Sequence, residues 1–425
     1  MAEPAVDVIV QIAGDDVLAG RLWSHRRGRT ESATFRYDQD YLARSDAYEL
    51  DPALDLSAGS HQTPAGRPIF GAFSDCAPDR WGRRLIARAE KQRARREDRA
   101  ERSFGEIDLL LGVRDDLRQG ALRFRDPERQ RYLADDVSGV PSLLDLPVLL
   151  SAADRIERDE ADEQELQLLL RGGSSLGGAR PKAHVLSRDG RIAIAKFPSS
   201  ATDDWDVMRW EAVALSLARS SGINVPGWSL HEIDGRAVVI VDRFDRTRER
   251  RIRYLSAMTM LEAADGEQGS YLEIADAITE RSPSPDQDLR EVWRRIAFAI
   301  LISNTDDHLR NHGFLRTSSA GWSLSPAFDL NPNPDPGPKH LSTAIDFSDD
   351  RARLDTLFAV AEEFRLSRDD AQAILGEVSV ATSHWRAAAE RVGLDQGAIE
   401  EMSPAFEHEQ ADTARSLSGA SGGAR

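Results

Sequence analysis

The densest run of chemistry-bearing side chains lies at residues 303–311, which read Ser-Asn-Thr-Asp-Asp-His-Leu-Arg-Asn. Asp306 precedes Asn311 by five positions. This is the Asp-x-x-x-x-Asn spacing of a protein-kinase catalytic loop, where the aspartate takes the proton of the attacking hydroxyl and the asparagine oxygen binds magnesium. The next carboxylate in place is Asp329. It follows two short apolar segments, 313–315 and 322–324, joined by a Ser/Gly turn at 318–321, which predict a hairpin. A carboxylate arriving after such a hairpin is where kinase-type sites put their second metal ligand, although here the order is Phe328-Asp329 with no glycine after it. Mg2+ takes oxygen ligands, so Asn311 and Asp329 suit it, with water and ATP phosphates completing the shell. Asp306, Asp307 and Asn311 also read singly as turn-formers or caps; their order with Asp329 favours catalysis. A zinc site is the rival, because His308 and His312 have the His-x-x-x-His spacing. The glutamate that a zinc peptidase needs after the first histidine is Leu309 here. His308 is therefore expected to orient the loop by hydrogen bonding, and His312 to be an ordinary polar residue.

Residues 172–182 form a second motif with four glycines, Gly172, Gly173, Gly177 and Gly178. It is neither a Walker A loop nor Gly-x-Gly-x-x-Gly, and spacing alone fits a flexible linker as well. Its place before two strands is that of a loop whose backbone N–H groups approach phosphate oxygens. Lys196 follows on the next strand, where a kinase keeps the lysine that meets the α- and β-phosphates. A cation in an apolar strand needs a partner. Glu211, in the helical stretch 206–220, is the candidate, with a solvated helix surface as its alternative. The strand at 237–241 runs into Asp242 and Phe244, a place for a hinge that offers backbone groups to adenine; a charged strand end with one buried Phe reads equally well.

These side chains need elements to hold them. The apolar helical run 296–302 should be buried and anchor the 303–311 loop. Asp189-Gly190 and Asp234-Gly235 each separate strand-like segments and predict two hairpins, 185–197 and 228–241. Further strands are expected at 8–12 and 21–23, with a turn at 14–16. From about 257 the chain reads as helical apart from 304–338. The sequence divides into a β-containing part at 1–125, a connector at 126–164 leading into a nucleotide lobe that ends at 255, a helical lobe at 256–415, and a Ser/Gly-rich tail at 416–425 expected to be disordered. Two lobes with a cleft between them is the simplest architecture.

Composition sets limits. The chain has 425 residues, 40% of them hydrophobic, enough for a large core. One cysteine, Cys76, excludes a disulfide framework and a cysteine-rich zinc module. No apolar stretch is long enough for a membrane helix and the N-terminus lacks a signal pattern, so a cytoplasmic location is expected. With 55 Lys+Arg against 72 Asp+Glu, the net charge of -17 opposes unassisted binding to nucleic acid. Residues 80–102 are locally basic. Contact with DNA or an acidic partner is one reading, and a solvated helix laced with ion pairs, Arg93 with Glu97 among them, is the better one.

Taken in order, the motifs resemble those of the HipA-type serine/threonine kinases, the toxins of bacterial type II toxin–antitoxin modules, over nearly the whole chain. Residues 69–73 and 78–82 look like that family's N-terminal subdomain, 175–182 its Gly-rich loop, 242–246 its hinge, 305–311 its catalytic loop and 326–329 its metal-binding strand. The resemblance implies an α+β, two-lobed kinase-like fold, with a mixed β-rich N-terminal lobe, an extra N-terminal subdomain and an all-α C-terminal lobe. It implies Asp306 as catalytic base with His308 beside it, and ATP held by Gly177, Gly178, Ala179, Lys196, Asp242 and Phe244. Asn311 and Asp329 would hold Mg2+, and Ser175, or its neighbour Ser174, would be autophosphorylated. A phosphate there adds roughly -1.5 to -2 charge to a loop meant to cradle phosphates, which would expel it. Asp242 stands where Glu is common, and Arg180-Pro181 where some members have Gln-Glu. The implied partners are a helix-turn-helix, HipB-like antitoxin that carries most of the DNA recognition, and a protein substrate for which an aminoacyl-tRNA synthetase is the precedent. The alternative is a catalytically silent member acting as a corepressor with its antitoxin.

Overall fold

Alternation of apolar and polar residues in the first 37 positions builds antiparallel strands. The computed structural model describes residues 5–28, 30–134, 139–173, 178–347 and 349–420. Strands β1 (Ala5–Ile12), β2 (Asp15–Arg27), β3 (Thr30–Tyr37), β4 (His61–Gln62) and β5 (Leu122–Arg125) form one sheet in the order β4-β3-β2-β1-β5. The expected strands at 8–12 and 21–23 are parts of longer ones. The reversal between them is Ala13-Gly14, both at positive φ, so Asp15 and Asp16 already pair across the hairpin with Ile12 and Gln11. Val6, Val8, Val10 and Ile12 enter a core with Phe35, Phe73 and Phe124. Asp7 is buried, and its two cross-strand partners, Arg21 at 3.0 Å and Arg125 at 3.1 Å, balance its charge.

The basic segment forms the helix Arg80–Arg96, capped by Asp79, which accepts the Gly82 N–H. The helix stops before 102, and Glu97 bonds Arg99 at 2.7 Å rather than Arg93, because the chain turns back after the C-cap. Arg83 meets Glu106, Arg88 meets Asp159 and Arg96 meets Glu163, so much of the basic surface is tied to neighbouring elements. Its apolar face sends Trp81 and Leu85 into the core of the next unit.

That unit is a second antiparallel sheet, ordered β6-β7-β9-β8, of β6 (Lys182–Leu186), β7 (Ile192–Lys196), β8 (Trp228–Ile233) and β9 (Arg236–Asp242). Both expected hairpins are present, and Asp234 and Gly235 take the positive φ values that a two-residue turn requires. The strand period divides β9 between two faces. Val238 and Ile240 pack with Trp81 and the helices Leu146–Glu157 and Glu163–Arg171, whereas Val239 and Val241 pack on the helix Val207–Ser220. Residues 143–164 are thus more than part of the 126–164 connector read from sequence. Leu146, Leu149, Leu150 and Ile156 lie on one helical stripe and cover the sheet.

The remainder is helical around Pro285–Leu301, whose Leu289, Val292, Trp293, Ile296 and Ile300 are fully buried. One small sheet interrupts it, with β10 (Arg253–Ser256) paired to β11 (Gly313–Ser318) and β11 to β12 (Gly321–Leu324). A Cβ on Gly313 would stand 2.5 Å from the Tyr254 ring, so the β10–β11 crossing needs glycine. Residues 326–329, expected as a strand, are a loop: after the Ser325 N–H bonds the Gly313 carbonyl at 2.8 Å the chain leaves the sheet, and the Ala327 N–H goes to the Asn224 carbonyl at 2.7 Å. Within the tail expected to be disordered, residues 416–420 instead continue the helix Glu409–Ala420, because Ala411 and Ala414 are buried and Leu417 packs on the core, while 421–425 lie outside the described residues. One apolar core joins the first sheet to the helical lobe, running from Val8 and Phe35 through Leu255 and Tyr271 to Trp293. The chain has the expected α+β, two-lobed kinase-like fold, with the first sheet bridging both lobes, but the C-terminal lobe is not all-α, since it carries β11 and β12. No helix among the described residues is long and apolar enough to cross a membrane.

Candidate active site

A cleft of about 1040 Å³ opens between the second sheet and the helical lobe. Strand β7 contributes to it by its period: Ala193 and Ala195 face the core, so Ile194 and Lys196 face the cleft. Lys196 Nζ lies 2.5 Å from Glu211 Oε1 and 3.0 Å from Asp329 Oδ1. One ammonium therefore joins the β-rich lobe, the helix Val207–Ser220 and the loop after β12. Burial works against its charge, but Asp329 and Glu211 outweigh that and hold it above the usual lysine range. Asp329 is half-buried; desolvation works against its charge, but Lys196 and Lys182 outweigh that and hold its carboxyl well below the carboxylate range. Burial pushes Glu211 up against the pull of Lys196. Asp329 has φ 58°, a strained left-handed backbone that turns the chain at the residue expected from sequence to bind metal.

The 303–311 loop leaves the central helix through a Schellman close: Ser303 at φ 52°, its N–H on the Ile300 carbonyl at 3.3 Å, and Asn304 N–H on that of Ala299 at 2.8 Å. The two adjacent aspartates then part. Asp307 is buried, accepts the Tyr271 hydroxyl at 2.5 Å and lies 3.2 Å from His312 Nε2, while its carbonyl accepts the Thr343 hydroxyl at 2.7 Å. Asp306 is exposed. Partial desolvation raises its pKa, with His308 opposing and Asp329 adding to the rise. Asn311 is buried and donates from Nδ2 to the Asp306 carbonyl at 3.0 Å, a bond that does not use its Oδ1.

The histidines need correction. His308 shapes the loop through its backbone, whose N–H bonds the Asp306 carbonyl at 3.0 Å; its ring lines the cleft with Nδ1 buried and unpartnered. His312 is no ordinary polar residue, since it is buried edge-on to Tyr271 beside Asp307. The two rings of the zinc alternative thus have different surroundings, and among the described residues no group of three or more His, Cys, Asp or Glu could hold a metal ion.

At the far end Phe244 packs on Phe328 with centroids 5.5 Å apart, giving the cleft an aromatic wall, and Asp242 lines it at the end of β9. The segment after β9 is more than a charged strand end. Arg243 is buried and bonded to Asp245 and to the carbonyls of Leu117 and Arg118. Gly178 and Ala179 line the cleft, whereas Ser174, Ser175 and Gly177 lie outside the described residues.

Sequence reading missed Lys182, whose Nζ is held 2.9 Å from Asp79 at the cleft edge, and Asn331, whose Nδ2 reaches Asp329 Oδ1 at 3.4 Å. Asn331 was findable, two positions after the proposed metal ligand. Gln119 and Arg310 also line the cleft, and Gln119 comes from a distant part of the chain with no motif to mark it. The arrangement offers oxygen donors beside a fixed cation at one end and an aromatic wall at the other. It suits a planar ring carrying a polyphosphate and a divalent cation.

Comparison with known proteins identifies the family. The HipA N-terminal domain model matches residues 10–117 and the HipA-like C-terminal domain model residues 174–385. A protein of Haemophilus influenzae named as a putative kinase is 25% identical over 186 residues, 37% of this chain and 52% of that relative. Putative kinase Y4dM of Sinorhizobium fredii is 28% identical over 153 residues, 32% of this chain and 36% of that one. The chain thus spans about half and about a third of the lengths of these relatives. Among solved structures, the Shewanella oneidensis MR-1 toxin–antitoxin complex of HipA, HipB and operator DNA contains a chain similar in fold, with a TM-score of 0.66 and 15% identity over 97% of this chain and 99% of that one.

Proposed function

The chain belongs to the HipA-like family, and from that premise we propose that it is an ATP- and Mg2+-dependent protein serine/threonine kinase acting as the toxin of a toxin–antitoxin module. The observation that carries the reading is Lys196 fixed between Glu211 and Asp329 on the floor of a cleft that also presents Asn311 and Asp306's loop. Two relatives named as putative kinases support it.

The residues fit the implied cofactors. Asp329 is ionised, Asn311 lines the cleft with its Oδ1 unused by the bond to Asp306, and His308 Nδ1 and Asn331 Oδ1 are buried polar atoms without partners at the cleft. Mg2+ held by Asn311 and Asp329 would neutralise and orient phosphate oxygens. Lys196 would hold the α- and β-phosphates, Gly178 and Ala179 would approach them with backbone N–H groups, and Phe244 and Phe328 would pack the adenine. Asp306, exposed and raised in pKa, would take the proton of an acceptor hydroxyl positioned against it. Catalysis of this kind is positioning and charge neutralisation. We assign autophosphorylation to Ser175 or Ser174, and propose a translation component, such as an aminoacyl-tRNA synthetase, as substrate.

For partners, the Shewanella protein is found with HipB and operator DNA. A HipB-like helix-turn-helix antitoxin would bring this acidic chain, at net charge -17, to DNA that its own surface repels. The test is intact-mass spectrometry of dephosphorylated protein incubated with ATP and Mg2+, beside Asp306→Ala. A phosphate gained by the parent alone and mapped to Ser174 or Ser175 supports the kinase. No gain in either would leave a silent corepressor as the better reading.

A further inference from the structure

The base of the Gly-rich loop is latched to the hinge by a buried histidine that belongs to no motif. Gly172 caps the helix Glu163–Arg171 and opens the loop. Its carbonyl accepts two bonds from His184 of β6, from the backbone N–H at 2.7 Å and from the ring at Nδ1, 2.6 Å away. A carbonyl oxygen only accepts, so Nδ1 carries the ring proton. The other nitrogen, Nε2, lies 3.1 Å from Nη1 of Arg243, which only donates. The ring is therefore neutral, with its one proton on Nδ1, and it can link a carbonyl to a guanidinium in this tautomer alone. Burial and the Arg243 charge both disfavour a second proton.

Arg243 is held from every side. It makes a fork with Asp245 at 2.8 and 2.5 Å, and donates to the Leu117 carbonyl at 2.8 Å and the Arg118 carbonyl at 3.1 Å. Asp245 in turn accepts the Gly120 N–H at 2.7 Å. The segment 117–120, the hinge and the loop base thus form one hydrogen-bonded unit beneath the cleft. The fit is close: a Cβ on Gly173, at φ 68°, would stand 2.7 Å from Leu117 Cδ1 and 3.1 Å from His184 Nδ1.

We propose that His184 is a positioning residue for nucleotide phosphates, fixing the root of the Gly-rich loop to Arg243 and through it to the N-terminal subdomain. The proposal rests on the reading of the cleft as an ATP site. It makes the N-terminal subdomain part of the nucleotide site without touching the ligand, and it separates the two ends of the cleft. Loss of the His184 ring leaves the loop root on its backbone bond alone and loosens it, whereas Arg243 keeps four other bonds and the hinge keeps its shape.

The test measures ATP and adenosine binding by calorimetry for the full-length parent, His184→Phe and His184→Gln, with hydrogen exchange of the 172–182 peptide as the structural readout. Gln reaches Arg243 but not the Gly172 carbonyl. Both variants are expected to bind ATP about tenfold more weakly, the scale of one buried hydrogen bond, to bind adenosine like the parent, and to exchange faster in 172–182 alone. ATP binding equal to the parent's overturns the proposal, and so does an equal loss for ATP and adenosine, which would mark a general packing role. If the parent itself binds no ATP, the reading of the cleft fails instead.

Discussion

Tyr271 donates its hydroxyl to Asp307 at 2.5 Å, and this bond separates the work of two adjacent aspartates. Asp307 is spent on holding the loop to the helix Tyr271–Arg281 and to His312, while Asp306 is left to solvent. Asp307→Asn removes the charge from a buried, charge-assisted bond and is expected to cost about 2 kcal/mol in urea unfolding. Asp306→Asn touches no such network. Its stability should match the parent's, while phosphotransfer falls roughly a hundredfold or more, the scale of a lost general base. Equal stability losses in the two variants would contradict the division.

Lys196 is expected to matter twice. Lys196→Met leaves the buried Glu211 without its cation beside a half-buried Asp329, which should cost about 3 kcal/mol in stability along with ATP binding. Replacing both members of the buried pair, as Lys196→Met with Glu211→Leu, removes one stranded carboxylate and should restore much of the stability with no activity. Denaturant melts of the two variants beside ATP titrations check both halves. A double variant less stable than the single would show that the pair contributes more than its charges.

Much of the site was legible in the sequence because it is local. The Asp306–Asn311 spacing, the hairpin that delivers Asp329, and the lysine in an apolar strand are each written within a few residues. The Lys196–Glu211 pairing was also within reach, since a buried ammonium demands a carboxylate and Glu211 lies on the next helix. What stayed hidden depends on chain segments far apart. Lys182 meets Asp79, and Arg243 meets Leu117 and Arg118, contacts set by docking of the first sheet and not by any periodicity. Two errors, the connector read at 126–164 and the disordered tail read from 416, share a cause. Their turn-like or Ser/Gly-rich composition was weighed above the apolar stripes Leu146-Leu149-Leu150 and Ala411-Ala414-Leu417, and packing of those stripes decided the outcome.

Asp245 gives a pH prediction with a definite sign. It is buried, which alone would raise its pKa, but Arg243 pulls it down to about 2. A carboxylate depressed in the folded state stabilises fully above its unfolded pKa of about 4, and that stability is lost as pH falls toward about 2. The contribution is about 2 kcal/mol at neutral pH. Asp245→Asn should be less stable than the parent at pH 7, and the gap should narrow between pH 4 and pH 2. A gap that stays constant across that window in denaturant melts would mean that Asp245 acts through its shape and not its charge.

The N-terminal subdomain should be felt at the nucleotide lobe through Trp81. Its indole N–H donates to the Lys182 carbonyl at 3.0 Å, while Asp79, the cap of the same helix, holds the Lys182 ammonium. One residue of β6 is thus gripped at both ends by a helix encoded about a hundred positions earlier. Trp81→Phe keeps an aromatic ring in the core but strands a carbonyl and leaves a gap, for an expected loss of about 2 kcal/mol. Because β6 carries Lys182 at the cleft edge and His184 at the loop base, ATP binding should weaken as well, with adenosine binding spared. Stability lost with ATP binding intact would confine the grip to the core and leave the cleft independent of it.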